Sequence, residues 1–237
     1  MSLNIIHIGT KMKQATLLLF ITISLLTTSS FASTPKYSAT NVPKKMTVAV
    51  KKERFYYLLA PAIDKVYNEL STQYNEVKSD LKSASNTAKI EKLKKTYKVK
   101  SDKALLLALK PHPQSIALAQ AAMESAWATS RFFVKANNVF GMWSVNKNEP
   151  RIAAGEKRGG TKTIWLKKFD TIEDSVREYY KMMGRGRAYK DFRKVRHETN
   201  DVLKIVKELD HYSEIGEKYT KELASMIRYN KLIKYDK

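Results

Sequence analysis

The sequence predicts a mainly α-helical chain that carries one small β-hairpin. Three observations support this fold class. Apolar residues recur at three- and four-residue spacing in most segments after residue 54. Residues 150–169 break that spacing and are rich in glycine and β-branched residues. Apolar residues make up 43% of the 237 residues and cysteine is absent, so a packed core, not a disulfide or cysteine–metal scaffold, must hold the fold.

The elements follow in chain order. Lys11 and Lys13 precede an apolar run from Ala15 to Leu26, and Ser30-Phe31-Ala32 supplies small residues at −3 and −1. That order reads as a secretory signal over residues 1–32, since twelve apolar residues fall short of the about 20 that span a bilayer. An uncleaved membrane anchor is the other reading of the same run. Residues 33–52 are polar, with Pro35, Pro43 and several lysines, and read as a flexible basic tether. Residues 53–103 form an N-terminal helical region. Its first helix carries Phe55, Leu59, Ile63, Val66, Leu70, Tyr74, Val77 and Leu81 on one stripe, with Pro61 better suited to a helix start than to its interior. Breakers between Asp80 and Thr87 precede a shorter helix marked by Ile90, Leu93 and Tyr97. This pair reads either as a coiled coil for a partner or as helices packed on the main domain. Residues 104–237 form that domain.

Pro111-His112-Pro113 ends one element, and Gln114 to Phe133 reads as a single helix. A turn at Asn137–Gly141 follows, and then the hairpin. Asp170 or Thr171 opens the next helix as N-cap, with Glu173 and Asp174 in its first turn. Val202, Leu203, Val206 and Leu209 mark another helix, and Tyr219, Leu223, Met226, Ile227 and Asn230 the last.

Composition narrows the function. Lys and Arg number 44 against 23 Asp and Glu, a formal charge of +21. An exported chain with that charge is expected to meet anionic wall polymers, and export makes nucleic acid the weakest candidate. The eight glycines form neither a dinucleotide nor a P-loop pattern, and the histidines at 7, 112, 197 and 211 are scattered. No metal and no nucleotide or organic cofactor is expected, and the chain is expected to be a monomer.

The chemistry concentrates in Gln114–Phe133. Ile116, Leu118, Ala119, Ala122, Met123, Ala126 and Trp127 leave that helix little polar face, and Glu124 lies in its middle. Desolvation beside Met123 and Trp127 raises a carboxyl pKa and keeps its proton near neutral pH. A protonated carboxyl beside an apolar wall is what glycosidic cleavage needs, because the leaving oxygen must receive a proton. The alternative is that Glu124 shares an ordinary solvated stripe with Gln120 and Arg131.

The run SIALAQAAMESAWATSRF, the NNVFG turn after it and the later FDTIEDSVREYYKMM and RAYKDFR segments resemble, in order and spacing, the glucosaminidase family (glycoside hydrolase family 73). The similarity extends from about Lys51 to the final YTKELASMIRYNKL, and over that length the chain resembles the Bax-like branch of exported bacterial proteins. The resemblance implies a lysozyme-like α+β domain with a cleft beside a small β-hairpin lobe. It implies an endo-β-N-acetylglucosaminidase that cleaves β-1,4 bonds of peptidoglycan or a related N-acetylglucosamine-containing glycan, in the periplasm or outside the cell. On that implication Glu124 is the general acid. Asn138, Phe140 and Gly141 shape the cleft, with Asn138 in reach of a sugar, and Tyr179 lies on a helix facing it. Tyr189 matches a tyrosine near the acid, and Trp127 an aromatic position behind it. Trp143 and Trp165 are either stacking platforms for sugar rings or ordinary packing.

Family members often carry a second carboxylate in the β-lobe. The strand from Thr161 to Phe169 has no acidic residue, which leaves Glu156 and, after it, Glu149. The substrate's 2-acetamido group is the alternative. A lytic transglycosylase or muramidase of the same fold, and a non-catalytic wall-binding protein, are the competing functions.

Overall fold

The computed structural model describes residues 35–155 and 163–237, and residues 35–237 form one unit. The signal sequence expected over 1–32 lies outside the described residues. So does Glu156.

The first helix, α1 (Val48–Lys82), has 35 residues. The Thr47 hydroxyl caps it by accepting from the Val50 N–H. The expected stripe is its buried face, with Phe55, Leu59, Ile63 and Val66 fully buried. Pro61 lies inside this helix, contrary to the expectation of a helix start. A proline there forfeits one backbone bond and costs about 3 kcal/mol. Burial of the side chains on both sides offsets that cost, at roughly 1.5–3 kcal/mol for each large apolar residue.

The stretch expected to be a tether is partly helix, since α1 begins at Val48. The residues before it are tied down. Buried Arg54 donates from Nη2 to the Ser38 and Ala39 carbonyls at 2.7 and 3.1 Å, Lys36 pairs with Glu53, and the Tyr37 ring meets Tyr57 edge-on at 5.5 Å.

Helices α2 (Thr87–Tyr97) and α3 (Asp102–Leu109) close a smaller apolar cluster around Val77, Ile90, Tyr97, Leu105 and Leu109. The larger core joins α1 to α4 (Gln114–Glu124) and α6 (Ile172–Arg185). α1 therefore shares the core of the catalytic region, and α2 packs on the end of α1 and on α3, which fits the packed reading rather than a free coiled coil. Gly184 lets α6 approach α3, because a Cβ there would lie 2.7 Å from the Ala108 carbonyl oxygen and 2.8 Å from the Tyr97 ring.

The helix expected from Gln114 to Phe133 is two helices. α4 ends at Glu124, and α5 (Arg131–Ala136) starts afresh with the Ser130 hydroxyl as its N-cap. The hairpin is present as β1 (Arg151–Ala153) and β2 (Trp165–Lys167), antiparallel, with Ile152 opposite Leu166. Trp143 adds a bridge to Leu166. Thr171 is the cap of α6, accepting from the Asp174 N–H at 3.1 Å. After it come α7 (Lys190–Glu198), which the apolar spacing did not mark, α8 (Val202–Lys207) and α9 (Glu217–Tyr229).

Candidate active site

Glu124 is the last residue of α4, not its midpoint. The break after it is built, not frayed. Ala126, Trp127 and Ala128 all take left-handed φ angles of 52°, 62° and 61°. Each costs a non-glycine residue roughly 1–2 kcal/mol, so the turn exists only because its surroundings enforce it. Ser125 supplies much of that enforcement. Its hydroxyl donates to the Ala121 carbonyl at 2.5 Å and accepts from the Ala128 N–H at 2.8 Å. Its carbonyl accepts from Thr129 and Ser130, and the Trp127 N–H returns to the Ala122 carbonyl. From α1, Arg54 Nη1 donates to the Ala128 carbonyl at 2.6 Å. The Glu–Ser pair of the sequence thus combines a carboxyl with the residue that holds its backbone.

Glu124 opens onto a cleft of about 490 Å³. One wall is the Phe140–Trp143 turn with Val145 and Lys167, and the other carries Glu178, Met182 and Arg185 of α6 with Tyr189, Tyr212 and Ser213. The Glu124 side chain is exposed to water along the cleft, while the many protein atoms packed around its carboxyl still cost its charged form solvation. That desolvation raises its pKa above the ordinary carboxyl value, opposed in part by a hydrogen bond of 3.1 Å from the Tyr219 hydroxyl to Oε1. Tyr189 is pushed up by its own burial and by the nearby Glu124 charge.

The structure sorts the expected site residues. Phe140, Gly141, Trp143 and Tyr189 line the cleft with Glu124. Trp143 is 60% exposed, an unusual state for so large an apolar ring. Gly141 takes φ +64°, which favours glycine. Asn138 does not face a sugar. It is buried, its Nδ2 donates to the Met142 and Lys167 carbonyls, both at 2.9 Å, and its Oδ1 accepts from the Met142 N–H. It pins the cleft turn to β2. Tyr179 is fully buried beneath the cleft, with Phe140 stacked on it at 3.8 Å. Trp127 packs on Phe55 and Tyr56 with the Lys52 ammonium over its ring, away from the cleft. Trp165 lies under the Arg151 guanidinium at 4.3 Å and does not line the cleft either.

Glu149 is also outside the cleft lining. The Ser144 hydroxyl and then Lys167, 3.5 Å away, hold its pKa below the ordinary value. The second carboxylate that does line the cleft, Glu178, went unmarked in the sequence reading. It lies 3.4, 3.5 and 3.6 Å from Lys167, Arg185 and Lys181. Tyr212 and Tyr219 were missed as well. The two rings stack at 5.3 Å, and Tyr219, on α9, reaches Glu124 across 95 residues of sequence, a distance no local pattern reveals. Among the described residues no group of three His, Cys, Asp or Glu side chains is placed to hold a metal ion.

Comparison with known proteins agrees with this geometry. The family model described as "Glucosaminidase: Mannosyl-glycoprotein endo-beta-N-acetylglucosaminidase" matches residues 103–232. Protein bax of Escherichia coli (strain K12) is 28% identical over 162 residues, which cover 62% of this chain and 57% of that protein. The chain thus matches little more than half the length of that relative. Among solved structures, the catalytic domain of the autolysin Auto from Listeria monocytogenes superposes with a TM-score of 0.51 at 17% identity, covering 81% of this chain and 92% of that one. That likeness concerns the fold, lysozyme-like and mainly α with a small antiparallel lobe. The match over residues 103–232 spans the acid-bearing helix, the hairpin and the closing helices alike, and the chain belongs to the glucosaminidase family.

Proposed function

We propose that this protein is an exported endo-β-N-acetylglucosaminidase acting on peptidoglycan or a related N-acetylglucosamine-containing glycan, with Glu124 as general acid. The observation that carries the reading is Glu124 itself. It is a carboxyl with a raised pKa, anchored at the end of a buried helix and opening onto a cleft with an exposed tryptophan. Family membership supports the reaction class.

The geometry supports a simple sequence of events. A glycan strand lies along the cleft with a sugar face on Trp143, since an exposed aromatic ring offers an apolar surface to the ring hydrogens of a pyranose. Glu124 gives its proton to the glycosidic oxygen as the bond to the anomeric carbon breaks. Positive charge develops on the departing sugar ring, and the ionised Glu124 and the Glu178 carboxylate face it from the cleft walls. Water attacks the anomeric carbon, either directly or by opening the oxazoline ring that the substrate's own acetamido oxygen has closed there, and the proton that this water sheds restores Glu124. The basic surface draws the enzyme to anionic wall polymers, and the apolar run after Lys13 directs it out of the cytoplasm.

Product ends test the reading. Digested peptidoglycan is reduced with borohydride and its fragments are weighed by mass spectrometry. Reduced N-acetylglucosamine ends are expected. Reduced N-acetylmuramic acid ends would make the enzyme a muramidase, and 1,6-anhydro ends a transglycosylase. Glycan binding without new ends would make it a wall-binding protein.

A further inference from the structure

Beneath the cleft a chain of buried polar groups leads away from Glu124. Tyr219 donates to Glu124 Oε1 at 3.1 Å. Gln120 Nε2 donates to the Tyr219 hydroxyl at 3.0 Å, and the Tyr179 hydroxyl donates to Gln120 Oε1. His112 Nε2 meets the Tyr179 hydroxyl at 2.9 Å. The residues come from α9, α4, α6 and the Pro111–Pro113 turn, and none of the four is more than 3% exposed. Buried polar groups persist where they are satisfied, and a connected set is held more firmly than its separate pairs.

The direction of each bond follows from proton counting. A tyrosine hydroxyl has one proton. If Tyr219 gives its proton to Glu124, it must accept from Gln120, which requires the amide nitrogen on that side. The Gln120 oxygen then faces Tyr179 and accepts its proton. Tyr179 must in turn accept from His112, so Nε2 carries the histidine proton and Nδ1 carries none. Nδ1 is buried without a hydrogen-bond partner, as an acceptor left over from this arrangement. Burial, and then Arg196, hold the His112 pKa well below its ordinary value, which keeps the ring neutral. Tyr180 stacked at 4.3 Å and Phe192 at 5.4 Å fix the ring plane. Turning the Gln120 amide over would direct the Tyr219 proton to Gln120 and present Glu124 with lone pairs, which an ionised carboxylate cannot accept.

We propose that His112, Tyr179, Gln120 and Tyr219 form a one-way hydrogen-bond relay that positions the catalytic acid, committing Glu124 Oε1 as an acceptor and reserving Oε2 for the proton that is transferred. The four are positioning residues, because the described geometry puts Glu124 alone of this set against the cleft space. The inference rests on the reading of Glu124 as proton donor. The groups that face Glu124 from its neighbours are Tyr189, Tyr212 and Tyr219, with Lys167, Glu178 and Arg185 along the same cleft.

The test follows the Glu124 carboxyl directly by carbon NMR titration, alongside kinetics on peptidoglycan, in wild type, Tyr219→Phe and Tyr179→Phe. All three are first matched by circular dichroism and melting temperature. Tyr219→Phe removes the last donor, which favours the charged carboxylate, so Glu124 should titrate about one pH unit higher. The kcat should fall about tenfold with KM unchanged. Tyr179→Phe has no contact with Glu124, yet it frees Gln120 to turn over, and it should shift the Glu124 titration in the same direction. A shift in Tyr219→Phe without one in Tyr179→Phe overturns the relay, and so does an unshifted titration in both folded variants. A wild type that cleaves no glycan, with both shifts present, would remove the enzymatic reading and leave the relay standing.

Discussion

Replacing Arg54 with methionine should loosen the turn that follows Glu124. Arg54 is fully buried on α1, and its guanidinium bonds three carbonyls, those of Ala128, Ser38 and Ala39. Methionine keeps most of the apolar stem volume and removes every donor. The Ala128 carbonyl is left buried and unpaired, at about 1–3 kcal/mol. The other two bonds are only partly buried, and water recovers much of each, so their loss adds about 1 kcal/mol together. Relief of the buried charge works in the opposite direction, since desolvation already lowers the Arg54 pKa. The lost hydrogen bonds sum to about 2–4 kcal/mol, and relief of the buried charge brings the net loss to about 1–3 kcal/mol. For a unit of this size, that is a drop of roughly 3–10 °C in Tm. Urea unfolding at 25 °C reads it, with the m-value unchanged. Hydrogen exchange at Thr129 and Ser130, whose amides bond the Ser125 carbonyl, should accelerate more than exchange in α9. Stability within about 0.5 kcal/mol of wild type would refute the reasoning, since it would mean that desolvation of the guanidinium cancels everything its hydrogen bonds contribute.

Other perturbations probe the cleft. The raised Glu124 pKa means that the folded state holds the proton to higher pH than the unfolded chain does. Stability should therefore fall as pH rises from the unfolded carboxyl value, about 4.5, through the folded one. Glu124→Gln removes that slope and should be more stable than wild type at pH 7 but not at pH 4, as measured by urea unfolding at both. Trp143→Ala should raise KM roughly tenfold while leaving Tm within a degree, because the ring is mostly exposed. Leu59→Ala, at a fully buried position in the shared core, should cost about 2–5 kcal/mol. A much smaller loss would argue that α1 is dispensable to the catalytic region.

The sequence reading succeeded where the information is local. The stripe from Phe55 to Val66 lies buried because three- and four-residue spacing places those side chains on one face, and of the two caps that the sequence offers for α6, Asp170 and Thr171, the second is used. It failed where distant residues decide. Nothing in Ala126-Trp127-Ala128 breaks a helix, and the break comes from Ser125 and from Arg54, which lies 74 residues away. A polar Asn138 in a loop suggested a sugar contact, whereas the turn consumes its amide in three backbone bonds. Pro61 reads as a boundary, and the burial around it overrides that preference. Glu124 stands out as the carboxyl of an alanine-rich segment, and it is the resemblance to the glucosaminidase family that assigns it the role of acid. Gln120, the neighbour one turn earlier, passed for surface until Tyr219 and Tyr179 closed over it.

The central claim is that Glu124 delivers the proton that breaks the glycosidic bond. Its most direct test is turnover of purified peptidoglycan by the wild type and by Glu124→Gln, counted as new reducing ends. The glutamine keeps the shape and can still accept from Tyr219, but it has no acidic proton. A loss of about 100-fold or more is expected, with glycan binding retained. A Glu124→Gln protein that works within a factor of about two of wild type would contradict the claim.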